Sequence, residues 1–202
     1  MFRCKLFLVL LFITNGLSKP MENPPNRCCF PKRSSAKLVA TADMLSSDGT
    51  LITTFIEHEE VRDLENGLLA TRGPTNTSIV GLHDHFHRIF DFKNRLFYSI
   101  SADGKSCLKH HLPDSPKNCI EESENYVNTS IYNYNGKEVL ADTWTKYNYG
   151  LLSYRTVSRD SCLLLESKYI PSNSELSGTL ITYNYAEDID RSIFEIPSEC
   201  LS

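Results

Sequence analysis

Short apolar runs, each closed by a turn signal, recur along almost the whole chain. Residues 36–45 and 51–57 flank Ser46-Ser47-Asp48-Gly49, a composition typical of a hairpin turn. Residues 86–92 and 96–101 flank Lys93-Asn94, and Ala102-Asp103-Gly104 turns the chain into residues 105–110. Residues 131–134 and 137–145 meet through Asn135-Gly136, the strongest two-residue hairpin signal present. Tyr147-Asn148-Tyr149-Gly150 turns into residues 151–158, Arg159-Asp160-Ser161 into 162–170, and residues 176–185 form a last long strand. No long window keeps a helical apolar period; a turn or two is expected only near residues 187–192. Turn signals every 8 to 12 residues or so predict an antiparallel all-β protein.

Alternation refines this. In Ile89-Phe90-Asp91-Phe92 and in Leu96-Phe97-Tyr98-Ser99-Ile100, bulky groups fall on both faces of the strand. A half-exposed antiparallel sheet has one apolar face per strand. Such strands therefore call for two packed layers or for an apolar cavity on one side.

The chain opens with Arg3 and Lys5, an apolar run over residues 6–13, and small residues at Asn15-Gly16-Leu17-Ser18. This is the pattern of an export signal spanning 1–18, with the body of the protein at 19–202. The run is well short of the roughly 20 apolar residues of a spanning helix. Losing Arg3 and Lys5 takes the formal charge from −4 to −6, and losing Cys4 takes the cysteines from seven to six. A mildly acidic chain with no basic run argues against nucleic acid and anionic membranes as partners. An even cysteine set in an oxidising compartment favours disulfides among Cys28, Cys29, Cys107, Cys119, Cys162 and Cys200. Six cysteines allow 15 pairings. Export also gives meaning to two glycosylation sequons, at Asn76 and Asn128. The body of about 184 residues suits one domain.

Two polar clusters carry possible metal chemistry. His83, His85 and His87 share one strand face, about 6.5–7 Å apart in successive pairs, close enough for two imidazoles to hold a transition metal. Glu187, Asp188 and Asp190, with Glu195 nearby, offer hard oxygens to calcium, although no EF-hand loop is present. Catalytic motifs are missing: there is no G-x-S-x-G, no H-E-x-x-H and no phosphate-binding glycine loop. The expectation is a protein that is not an enzyme.

Ala141-Asp142-Thr143-Trp144, Tyr149-Gly150-Leu151-Leu152-Ser153-Tyr154, Thr156-Val157 and Ser161-Cys162 resemble the most recognisable stretch of the ependymin family. The strand at 96–100 before Cys107-Leu108-Lys109, the Cys28-Cys29 pair before Pro31, and Phe194 with Pro197-Ser198-Glu199-Cys200 extend the resemblance to nearly the whole body. Asp142 stands where asparagine is common, Ser161 replaces a glycine, and Cys119 is additional. The resemblance implies a secreted glycoprotein of two curved antiparallel sheets around an apolar pocket, similar to bacterial lipoprotein carriers. It implies a lipid or other hydrophobic ligand, calcium binding, homodimers and contact with matrix components. A calcium-dependent adhesion protein with no small-molecule ligand is the other function it allows. It further implies that Cys28 or Cys29 joins Cys162, that Cys107 joins Cys200, and that Cys119 takes the remaining N-terminal cysteine. Phe90, Phe92, Leu96, Tyr98, Ile100 and Trp144 are the candidate pocket positions, and the sequence leaves pocket and core equally open for them.

Overall fold

A computed structural model describes residues 23–77, 83–112, 117–172 and 176–201. The export signal expected at 1–18 lies outside the described residues.

The described residues form eleven strands: β1 (Arg33–Leu45), β2 (Leu51–Asp63), β3 (Leu68–Thr77), β4 (His83–Asp91), β5 (Leu96–Ile100), β6 (Cys107–His111), β7 (Asn125–Tyr134), β8 (Lys137–Asn148), β9 (Leu151–Ser158), β10 (Leu164–Pro171) and β11 (Leu176–Ala186). They form one antiparallel sheet in the order β6-β5-β4-β3-β2-β1-β11-β10-β9-β8-β7. The all-β antiparallel reading holds, with one continuous open sheet in place of two separate ones. It consists of two meanders, β1–β6 and β7–β11, joined where β1 pairs with β11.

Asn135-Gly136 forms the predicted hairpin: Tyr134 faces Lys137, and both turn residues have positive φ, at 49° and 76°. Strand β3 is the element the sequence pattern did not predict. It carries Gly73-Pro74 in its middle, and a proline that cannot donate reads as a break in a central strand. The glycine has a reason to be there. A Cβ on Gly73 would lie 2.2 Å from the Glu57 carbonyl oxygen, so only glycine allows β2 and β3 to approach so closely. His58 and Phe86 meet edge to face beside it, their ring centroids 5.8 Å apart.

Topology forces curvature. β6 and β7 are the two outer edges, yet only residues 112–124 connect them. Laid flat, the sheet would be about 48 Å wide, and a fully extended connection of that length reaches about 45 Å. Its described part, residues 117–124, folds in to join Cys119 to Cys29 and to place Ile120 against Trp144. The sheet therefore curves towards the face on which the connection packs, here called the inner face. Phe30 lies on that face between Arg62 of β2 and Arg155 of β9, at 5.7 and 5.8 Å from the two guanidinium carbons.

Two closed cores result. On the inner face of β8 and β9, Trp144 and Val157 are covered by Phe30, Ile120 and Cys162. On the outer face of the other meander, Val61, Ala70, Ile89, Tyr98 and Ile100 are covered by the C-terminal segment, with Ile193 and Cys200 fully or nearly buried. Two short 3-10 turns shape that segment, at Arg191–Phe194 and Ser198–Cys200. Asp190 caps the first by accepting from the Ser192 N–H, which matches the helical turn expected near there. Disulfides anchor both covers: Cys28–Cys162 and Cys29–Cys119 hold the N-terminal segment, and Cys107–Cys200 the C-terminal one. These are the pairings the family resemblance implies.

Candidate functional site

The inner face is closed over β8 and β9 but not where β1, β11 and β10 run side by side towards the hairpin ends. There β1 turns Ala40, Ala42 and Met44 inward. Ala40 faces Leu180 and Ala42 faces Gly178 on β11, and Tyr169 of β10 faces Gly178 from the other side. Three small residues on adjoining strands leave a trough where bulky side chains would meet. Met44, Leu180, Tyr169, Pro171 and Leu151 wall it. The trough encloses about 640 Å³, within the range of roughly 300–1,000 Å³ common for small-molecule sites. Met44 and Tyr169 remain 42% and 41% exposed, so this is apolar surface that the fold has not used as core.

At the inner end the character changes. Ser167, the cross-strand partner of Leu180, and Thr182, the partner of Leu38, are both buried. Neither hydroxyl has a hydrogen-bond partner, and neither does Nδ1 of His58, which also faces Leu38. Burial holds the His58 imidazole below the usual histidine range and so keeps it neutral, against the opposing pull of Glu60. Several other charged groups on this face are paired. Arg155 binds the buried Glu124, and Arg62 binds Glu60 at 2.6 Å. Asp142, the departure from the asparagine common in the resembling family, is held by Arg159 through both carboxylate oxygens, at 2.6 and 3.0 Å.

The candidate pocket positions divide between environments. Tyr98 and Ile100 lie in the outer-face core with Leu96 packed beside them, and Trp144 lies in the inner-face core, 1% exposed and edge-on to Tyr126. Phe90 and Phe92 are half-buried in a ring ladder on β4, β5 and β6, where Phe90 sits 4.9 Å from Phe97 and Phe97 sits 6.2 Å from His110. The double-faced strands thus have the C-terminal segment on one side and this ladder on the other. None of the six lines the trough. A faint signal for the trough is present in the alternation of Ala36, Leu38, Ala40, Ala42 and Met44 with Lys37, Val39, Thr41 and Asp43. Alanine at alternate positions marks a face where little side-chain volume is supplied.

Among the described residues no three His, Cys, Asp or Glu side chains converge as a metal group would. Asp190 has one carboxylate oxygen on the Ser192 N–H and the other on its hydroxyl, at 3.0 and 2.8 Å, while Glu187 and Asp188 are exposed. His87 Nε2 lies 2.7 Å from the Ile193 carbonyl oxygen and so ties β4 to the C-terminal segment. His85 lines a larger concavity of about 800 Å³ together with His58 and Phe86, and its charged walls include the Arg72–Glu59 pair. The side chain of His83 lies outside the described residues. Asn128 is exposed on the edge strand β7, just past a bulge, whereas Asn76 is half-buried within β3.

No family model and no curated protein matches the chain. Among solved structures it is similar to an uncharacterized conserved protein from Thermus thermophilus, with 5% identity over 81% of this chain and 87% of that one and a TM-score of 0.51. It is also similar to a LolA superfamily protein from Nitrosomonas europaea, with 6% identity over 83% and 92% of the two chains and a TM-score of 0.37. The second likeness is too loose to carry an argument. The first shows that this open, curved all-β fold occurs in a bacterial protein as well.

Proposed function

We propose that this chain is an exported, non-enzymatic glycoprotein that binds a lipid or other hydrophobic ligand in the trough between β1, β11 and β10. The observation that carries the reading is the floor of Ala40, Ala42 and Gly178: these small residues leave a trough between apolar walls, whereas the apolar patches of the two closed cores lie under covering chain segments. Burying an acyl chain there would gain about 0.8 kcal/mol per methylene removed from water. The ependymin resemblance supports the same reading, as do three disulfides of a kind that persist in oxidising compartments. The exposed sequon at Asn128 fits an exported glycoprotein.

The test fills the trough. Ala42→Trp places an indole over Gly178 without touching either closed core. Wild-type protein should take up a fluorescent acyl-chain probe saturably, and the variant should bind at least about tenfold more weakly while unfolding at the same urea concentration. Undiminished uptake by a folded Ala42→Trp variant, or no uptake by the wild type, would overturn the proposal.

A further inference from the structure

Four buried side-chain polar atoms among the described residues have no hydrogen-bond partner: His58 Nδ1, Asp63 Oδ1, Ser167 Oγ and Thr182 Oγ1. Asp63 stands apart on the outer face, where its other oxygen accepts from Arg191 and Asn66 at 3.0 and 2.8 Å. The remaining three lie on the inner face of β2, β10 and β11, grouped around Leu38 and Leu180. An unpaired buried polar group costs roughly 1–3 kcal/mol, so three on one patch of sheet call for an explanation.

Register places them relative to the trough. Ser167 is directly opposite Leu180, a trough wall. Tyr169 and Pro171 follow on the same strand face, each pair of residues carrying the strand about 6.5–7 Å further towards the mouth. Thr182 is two residues inward from Leu180. The apolar trough thus leads to a small hydroxyl-bearing patch at its closed end.

We propose that the ligand is a neutral amphiphile that enters head first, its hydroxyl or carbonyl group hydrogen-bonding to Ser167 and Thr182 while its chain lies over Ala40, Ala42 and Gly178. This rests on the trough being a ligand site. A neutral head follows from the charges on the same face: Arg155 and Arg62 are already paired with Glu124 and Glu60, and Arg88 lies over the Phe86 ring, 4.8 Å away. A carboxylate brought to Ser167 would meet Arg155, its cross-strand neighbour on β9, whose charge the buried Glu124 already takes up. Both hydroxyls are buried, so entry turns a neighbouring side chain aside.

Three probes of equal chain length separate the possibilities: 1-dodecanol, dodecane and dodecanoate, each titrated by calorimetry or native mass spectrometry. The wild type should bind the alcohol at least about tenfold more tightly than either of the others. Ser167→Ala and Thr182→Val keep the volume nearly unchanged. Each should cut the preference for the alcohol over the alkane severalfold, leave alkane binding as it was, and unfold at an equal or higher temperature because an unpaired buried hydroxyl is gone. Equal binding of alcohol and alkane by the wild type, or a preference that survives both substitutions, would refute the head-group assignment and leave the trough standing as an apolar site. Tightest binding of dodecanoate would refute the neutral head. Binding of none of the three would overturn the trough itself.

Discussion

Two apolar areas of one sheet have opposite fates. On the outer face of β2–β5, Val61, Ala70, Ile89, Tyr98 and Ile100 are sealed under Ile193 and Cys200. On the inner face of β1, β11 and β10, the trough walls stay partly exposed. The strands themselves do not explain the difference, since both areas are alternating antiparallel ladders. What differs is the covering chain: a terminal segment anchored by a disulfide lies over the first and none of the described residues lies over the second. In a single open sheet, closed core and open apolar surface are set apart by where the ends of the chain are fastened.

The largest effect should come from unfastening the cover. Replacing Cys107 and Cys200 together by serine releases a link that spans 93 residues and should cost about 2–5 kcal/mol of stability, read as a lower urea midpoint. The segment around Ile193 should become open to proteolysis. Uptake by the trough, which lies on the opposite face, should hardly change in protein that is still folded. A parallel loss of uptake would mean that the two areas are coupled.

A matched pair of leucine-sized truncations sharpens the contrast. Ile193→Ala empties a fully buried site and should cost about 2–5 kcal/mol. Leu180→Ala removes a half-buried wall of the trough. It should cost less than half as much and instead weaken binding of the acyl probe. Equal costs in chemical denaturation would show that the trough is core after all.

The smallest effect is one of pH. Burial favours the neutral form of His58 in the folded protein, whereas in the unfolded chain the imidazole takes up its proton near the ordinary value of 6.5. Above that pH both states are neutral, and protonation of the group adds nothing to the stability difference. Below it the unfolded chain gains a proton that the folded one resists, so stability falls with pH until the folded histidine also protonates. The stability of wild type relative to His58→Gln should therefore shrink as the pH is lowered through 6.5. Parallel urea-midpoint curves for the two proteins would refute a buried neutral His58.

Much of the fold was legible in the chain, and the misses have reasons. Hairpins built on Asn135-Gly136 and on Tyr149-Gly150 were read correctly because positive φ at paired turn residues is a local demand that sequence expresses directly. β3 was missed because Gly73-Pro74 reads as a break, while the close approach of Glu57 that requires the glycine is a tertiary fact. The aromatic residues picked as pocket positions drew attention by their size. Large side chains fill cavities, and the trough is made instead by Ala40, Ala42 and Gly178, which supply no volume.

The sequence by itself determined the class of the fold, its turns, and a set of six cysteines suited to pairing, because turn chemistry and alternation act between near neighbours. Only the tertiary structure decided which apolar face became core, that two meanders merge through β1 and β11, and that Ser167 and Thr182 lie unpartnered beside the trough. Those outcomes depend on register between strands far apart in the chain and on where its two ends are fastened. No local pattern of residues encodes either.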